Sequence, residues 1–446
     1  MKSTGTRRHR RPALLGMTAL TAVATLATAC SSSGGGSGSV ALTKKPTGNI
    51  TYFWWGDPTR NQKTDAVISL FEKQYPHVKV SGEEEAFTQY WQKVTVQAAA
   101  HDLPCVTQTQ SRELLTYTKD NVFMPLNSLI SKGYINVSGM PKSILDSGKG
   151  EDGQIYMIPY GAAFDGFAYN KTIAQKAGLP DVPQGYTWTW FQNWLEQAKK
   201  KLPAGVYPID QNGSDADIFI SYAESYGYSL FNKSGQLGFP ASLLERYWTM
   251  WANFAKQGIA LPENLAAQEG STIQQSYLVQ GKVMTEAEPG NQLYDGQQAA
   301  NSSHVGTLAI TTHPFGPKGI GNVAITSGLS IPASCNNVSA AAAFINFFTN
   351  NQAGAKAYAS NNGAVTDTSL LNQQLSDPAT DPIVKQELGT YNFIVKHNTP
   401  VVLYPPGFEN VFETLYPQIF QKIVNGEESV SAGVQSFFAQ AKSDLS

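Results

Sequence analysis

Charge is scarce in this chain. Charged side chains make up 15% of its 446 residues, against roughly a quarter in an ordinary soluble domain, so ion pairing is not its theme. Basic groups are scarcer still once the first 29 residues are set aside. Those carry Lys2, Arg7, Arg8, Arg10 and Arg11 and no acid, and the remainder holds 27 basic groups against 34 acidic ones. Such a balance excludes bulk attraction to nucleic acid. The six histidines are scattered, none making His-Glu-x-x-His or a cysteine-histidine metal spacing, and no Gly-x-Ser-x-Gly elbow occurs. Gly319-x-Gly321-x-x-Ala324 meets the dinucleotide spacing on paper, but strand-like 323–331 follows where that motif needs a helix. Internal repeats are absent. Cysteine is limited to Cys30, Cys105 and Cys335, with no Cys-x-x-Cys pattern.

What is present describes a globular protein of two or three domain-sized units, 41% hydrophobic and 11% aromatic. Residues 1–29 read as a signal peptide: a basic start, then 13–29 apolar or small throughout. Leu26, Ala27, Thr28, Ala29 and Cys30 resemble a bacterial lipobox, in which the cysteine is lipidated and becomes the new N-terminus. Leu26 stands one place earlier than usual. Residues 30–46 then form a lipidated cysteine and a Ser/Gly tether. Arg7-Arg8 and Arg10-Arg11 leave the export route open between the general and the twin-arginine pathway. With Cys30 taken, Cys105 and Cys335 either pair or remain two buried thiols.

The organising stretch is 49–58, Asn-Ile-Thr-Tyr-Phe-Trp-Trp-Gly-Asp-Pro. Its β-branched and aromatic residues predict a buried strand, stopped by Gly56-Asp57-Pro58. Val67, Ile68, Phe71 and Tyr75 then fall at helical spacing, closed by Pro76. The strand thus delivers Trp54, Trp55 and Asp57 to a strand-to-helix loop, where open α/β sheets bind ligands. Indole faces beside hydrogen-bonding groups suit a sugar. A tryptophan pair fits a core equally well, and position assigns at least one to the ligand.

Alternation continues with a strand at 77–81, a solvated Glu83-Glu84-Glu85 loop, a helix through Trp91, Val94 and Ala98, and a strand at 105–109. This β-α-β-α-β order predicts a parallel sheet with right-handed crossovers. Gln108, Gln110 and Arg112 stand where the third strand opens. Residues 154–160 and 164–169 read as extended pieces joined without a helix. Further helices are expected at 171–178, 189–202 (its tryptophans in the core), 243–257, 339–348, 354–360, 411–424 and 430–442. Strands are expected at 281–285, 305–310 and 323–331, with 286–293 a loop.

In this order the segments resemble bacterial extracellular solute-binding proteins of the carbohydrate ABC-importer type, relatives of maltose-binding protein. The matching text is ITYFWWGD, VISLFEKQYPHVKV, YWQK, DLPCV, MPLNSLI, IPYGAAFDGFAYNK, YTWTWFQNW, GKVM and SGLSIP before an alanine-rich helix. Aspartate is usual where Cys105 stands, and the tryptophan common after the GKVM strand is replaced by Gly290-Asn291-Gln292. The resemblance implies an α/β, two-lobe periplasmic-binding-protein fold, type II-like, each lobe a mostly parallel sheet flanked by helices. One lobe would be 47–162 with 325–372, the other 163–324 with 373–446. A three-pass hinge of extended crossings would fall near 162–165, 323–327 and 370–375. The implied contacts to a sugar in the interlobe cleft are Trp54, Trp55, Asp57, Arg60, Gln108, Gln110, Arg112, Asp165, Glu288, Gly290, Asn291 and Gly328. Arg60 and Arg112 would clamp vicinal oxygens or a charged sugar.

The function expected is the extracytoplasmic binding component of an ABC importer, with a sugar or oligosaccharide as ligand. Permease subunits in the membrane would be its partners, the protein itself being a monomer anchored by lipid outside the cytoplasmic membrane. No enzyme activity, cofactor, metal or nucleic acid is expected. The rival reading is a secreted glycoside hydrolase, which needs a carboxylate pair drawn from Asp57, Asp165 and Glu288.

Overall fold

A computed structural model describes residues 42–445 apart from 271 and 398–399. The signal peptide at 1–29 and the lipidation at Cys30 lie outside the described residues, as does most of the tether. Eight strands are named in chain order: β1 (Gly48–Trp55), β2 (Val78–Glu85), β3 (Val106–Gln110), β4 (Ile158–Asn170), β5 (Thr285–Pro289), β6 (Leu308–Thr311), β7 (Ala324–Ser330) and β8 (Ala364–Val365). They join in the order β2-β1-β3-β7-β4-β5, with β6 and β8 also on β4.

β1 pairs in parallel with β2 and β3, as the alternation of strand and helix predicts. Both its faces are covered. Tyr52 and Trp54 pack with Val67, Phe71 and Phe344, while Phe53 and Trp55 pack with Tyr90, Val94 and Phe123. A strand buried on two sides reads as a continuous apolar run, and 50–55 is such a run. Glu83, Glu84 and Glu85, expected in a loop, are instead paired with Phe53, Trp54 and Trp55 at the end of β2. β2 is an edge strand, where charged side chains reach water and discourage further pairing.

The chain leaves this first sheet along β4. Its first half pairs antiparallel with β7, Ile158 to Phe164. Its second half pairs antiparallel with β5 and β6, Asp165 to Asn170. The two extended pieces expected at 154–160 and 164–169 are therefore one strand of 13 residues carrying the backbone from one sheet into the next. In this second sheet every pairing between named strands is antiparallel, unlike the mostly parallel sheet expected. Among the described residues, parallel contact there is limited to isolated bridges such as Tyr207–Val283 and Ile209–Ala260. The strand expected at 281–285 sits later, as β5, and takes in Glu286 and Glu288. At the third crossing the backbone is a helix, Thr368–Ser376, where an extended segment was expected. Asp367 caps it, its side chain accepting from the Leu370 N–H, and a capped apolar turn favours helix over extension.

The largest core lies around helices Trp188–Lys201, Ala216–Ser225, Ala241–Gln257, Tyr416–Val424 and Val430–Asp444. Trp188, Trp194, Trp248 and Trp251 are buried in it, so the tryptophans of the first of these helices are core, with Trp190 partly buried against it. Cys105 and Cys335 form a disulfide with Cα atoms 4.8 Å apart, resolving the alternative left open by the sequence.

Candidate binding site

Asp57 sets the first corner of the site. It is the N-cap of helix Pro58–Gln74, one carboxylate oxygen accepting from the Arg60 N–H at 2.9 Å. Proline in the first turn has no N–H to lose there. Arg60 is held by neutral acceptors: its Nε donates to the Asn361 side chain at 2.9 Å and its Nη2 to the Asn361 carbonyl at 3.2 Å. The receiving turn is unusual, since Ala359 and Ser360 both adopt left-handed backbone with φ near 50°. Each such non-glycine residue costs roughly 1–2 kcal/mol.

Asp57, Arg60 and Lys63 line one wall of a pocket of about 840 Å³, Asn291 and Asp295 line another, and Glu387 lies at its base. Burial lowers the Lys63 ammonium from its ordinary range, against the pull of the Asp295 and Asp57 carboxylates. Burial alone pushes the Glu387 carboxyl up to about 8. A pocket walled by amides, ammonium, guanidinium and carboxylates offers donors and acceptors in the mixture that a polyhydroxylated ligand requires.

Arg112, at the exit of β3, goes elsewhere. Its guanidinium pairs with Asp217 in the first turn of helix Ala216–Ser225 and, at 3.4 Å, with Glu413 in the π-helical turn Glu409–Leu415. It also lies 5.9 Å from the Tyr404 ring centre and 5.7 Å from that of Phe408. Asp165 belongs to this group. Burial and then the Asp217 carboxylate push it far above the usual carboxylate range, with Arg112 pulling the other way. Asp215 caps the same helix, and burial followed by Asp217 raises it to about 7.

Glu288 and Asn291 stand at the end of β5, Glu288 opposite Gly166 and next to the Asp165–Pro289 pair. Burial, then Glu269, Asp210 and Asp215, lift Glu288 to about 8. Gly290 is required by close packing, since a Cβ there would meet the Phe164 ring at 2.4 Å. Gln110 closes β3 opposite Ser327.

Four expected contacts are corrected. Trp54 is 2% exposed, its indole N–H donating to Asn61 at 3.0 Å and its ring lying over Gly82. Trp55 is packed among Phe87, Tyr90 and Trp91. Both indoles are enclosed between their sheet and the helices that flank it, so neither presents a face for stacking. Gln108 is fully buried and engaged within the protein, accepting from the Trp55 N–H at 3.2 Å and donating to the Tyr160 hydroxyl at 2.6 Å. Gly328 is closed off by Met157, which a Cβ would meet at 2.3 Å. The expected set thus divides. Asp57, Arg60 and Asn291 share the pocket, Arg112 and Asp165 share the ion-pair cluster, and Glu288 joins a carboxylate group.

Sequence reasoning missed Lys63, Asp295, Asn361 and Glu387 in the pocket, and Asp217 and Glu413 around Arg112. Two signals were available. Ser214-Asp215-Ala216-Asp217 and Asp381-Pro382 are both helix starts, and the helices they open carry Asp217 and Glu387.

A family model described as bacterial extracellular solute-binding protein matches residues 66–385. The chain belongs to that family. This solute-binding protein is 30% identical over 206 residues to an uncharacterised ABC transporter extracellular-binding protein of Pyrococcus horikoshii, covering 45% of this chain and 46% of that one. Its matches span less than two thirds of the curated relatives' own length. Among solved structures it is similar to an extracellular solute-binding protein family 1 member from Alicyclobacillus acidocaldarius, at 26% identity and a TM-score of 0.74, covering 90% of this chain and all of the other. A periplasmic oligogalacturonide-binding protein from Yersinia enterocolitica shares the fold at 18% identity and a TM-score of 0.74, again over 90% of this chain and the whole of the other. These neighbours establish the two-lobe architecture, and membership implies an exported protein. The matched stretch contains every expected contact from Gln108 to Gly328 and begins after Trp54, Trp55, Asp57 and Arg60.

Proposed function

We propose that the protein is the extracytoplasmic receptor of an ABC importer and that it binds a carbohydrate in the pocket between the Asp57–Lys63 and Asn291–Asp295 walls. The observation that carries this is the pocket itself, about 840 Å³ and of mixed polar and apolar lining, with Asp57, Arg60 and Asn291 all lining it. In the division proposed here the lobes are 47–162 with 325–372 and 163–324 with 373–446. Two of the cores support this reading, while a third draws on both proposed lobes, joining Ile144, Ala355 and Leu370 with Phe164, Leu293 and Leu388. Of the first two, one draws only on 50–160 and 329–358, the other only on 167–445 outside 324–401. The pocket walls then belong to different lobes, and hinge closure buries the ligand between them. Attachment through a lipidated Cys30, cleavage of 1–29, a monomeric state and delivery to a membrane permease complete the reading.

Binding without turnover is the expected behaviour. Asp57 is spent on a helix cap, Asp165 sits with Arg112 and Asp217, and Glu288 sits with Glu269 and Asp210, so Asp57 stands apart, and Asp165 and Glu288, neighbours across β4 and β5, are each engaged with further buried groups. Purified protein should be screened by thermal shift and calorimetry against neutral, acidic and amino-oligosaccharides. At least one should stabilise the protein, by about 2.7 kcal/mol at a hundredfold excess over Kd. A panel without a binder, or product formed at enzymatic rates, overturns the proposal.

A further inference from the structure

The group around Asp210, Glu269 and Glu286 has no role in the pocket or in the arginine cluster. One carboxylate oxygen from each lies within 4.8 Å of the others, with Asp210 and Glu286 buried and Glu269 half-buried. The three arrive from different segments. Asp210 follows the isolated bridge between Ile209 and Ala260, Glu269 lies after the short helix Glu263–Ala266, and Glu286 is in β5. Two of the three carboxylates are held by the protein. Glu286 Oε2 accepts from the Ser276 hydroxyl at 2.7 Å and the Leu278 N–H at 3.1 Å, and Glu269 Oε1 accepts from the Tyr277 N–H. The loop 276–278 therefore braces two of the carboxylates from behind, as outer-shell partners do for metal ligands.

A second observation points inward. Asp210 is 6% exposed, and its Oδ1 finds no hydrogen-bond partner among the described residues. The adjoining Gln211 amide, 5% exposed, is likewise without a partner at either atom. The cation the cluster feels is Lys282, exposed on the surface with its ammonium over the Tyr277 ring at 4.2 Å. Three converging carboxylates, one with an orphaned buried oxygen, need either a bound cation or shared protons.

We propose that Asp210, Glu269 and Glu286 bind a divalent cation of the calcium type. Hard oxygen donors suit calcium, and oxygens that all lie within 4.8 Å of one another can share one ion at Ca–O distances of about 2.4 Å in calcium's flexible coordination. A cation there clasps Asp210 and Glu269 to β5, which carries Glu288 near its end and is followed by Asn291. This departs from the expectation that the chain uses no metal.

The full chain is treated with chelator, dialysed into metal-free buffer and melted with and without 2 mM CaCl2, MgCl2 or MnCl2, and metal content is measured before chelation. Calcium should raise the melting temperature by about 3 °C or more with near-stoichiometric uptake, and Asp210→Asn and Glu286→Gln should each abolish the increment. Both variants relieve repulsion in the metal-free protein and so should fold without metal, and Glu269→Gln provides a third should either fail. The inference is overturned if no cation shifts the melt and the metal-free protein is instead stabilised on lowering the pH from 8 to 6, the mark of shared protons. It is also overturned if the calcium increment survives in the variants. The outcome is independent of the oligosaccharide panel, which is run with and without calcium.

Discussion

Arg60 and Arg112 stood alike in the sequence, each at the end of a strand and each fit to clamp a ligand, yet the fold uses them differently. Arg112 is 16% exposed in its side chain and engages Asp217 and Glu413 beneath two aromatic rings. Arg60 meets an amide oxygen and main-chain carbonyls and no carboxylate within ion-pair distance among the described residues. A guanidinium neutralised by carboxylates has little left for a ligand. One held by neutral acceptors keeps its charge directed at whatever enters the pocket. The type of partner, not the type of residue, separates a structural arginine from a recognising one.

Removing Arg112 should have the largest effect. Arg112→Ala leaves buried Asp165 and partly buried Asp217 without their cation and should destabilise the protein by about 3–5 kcal/mol, read from denaturant midpoints. A loss under about 1 kcal/mol would place this arginine on the ligand side of the comparison. Arg60→Ala is expected to cost stability about 1 kcal/mol or less but to weaken a ligand found by the panel at least about tenfold, measured by calorimetry. Unchanged affinity would remove Arg60 from the site. The smallest effect concerns the base of the same pocket. Glu387, at about 8 in the fold, keeps its proton where the unfolded chain has released it, so stability present below the unfolded value is lost as pH rises through about 8. Glu387→Gln should therefore be near neutral at pH 5 and stabilising by at least about 1 kcal/mol at pH 8. An equal effect at both pH values would mean that Glu387 is ionised in the fold and offsets the Arg60 charge.

Much of the fold was legible. The strand, turn and helix from 49 to 75 lie where aromatic content, Gly-Asp-Pro and helical spacing put them, with β1 at Gly48–Trp55 and the helix at Pro58–Gln74. The site was less so, and Trp54 and Trp55 show why. Both were assigned by position at a strand's end, whereas their burial depends on what covers the two faces of β1: helix Pro58–Gln74 and helix Val338–Asn350 on one side, helix Phe87–Ala99 on the other. The warning was the unbroken apolar run, which lacks the alternation of a strand with one wet face. Asn361 and Glu387 lie 301 and 327 positions from Arg60 in the chain, and no local pattern announces neighbours so distant.

The disulfide closes a ring of chain between Cys105 and Cys335, 230 positions apart. In the proposed division everything from 163 to 324, the greater part of the second lobe, hangs within that ring as a loop whose two ends are covalently fastened. A protease that cuts a surface turn anywhere from 106 to 334 therefore makes a nick and frees no fragment. Both pieces stay joined through sulfur, and the wounded molecule keeps its mass under oxidising conditions. For a protein that works outside the cytoplasm, one bond near the first sheet turns a single cut within that span into a nick rather than a loss of material.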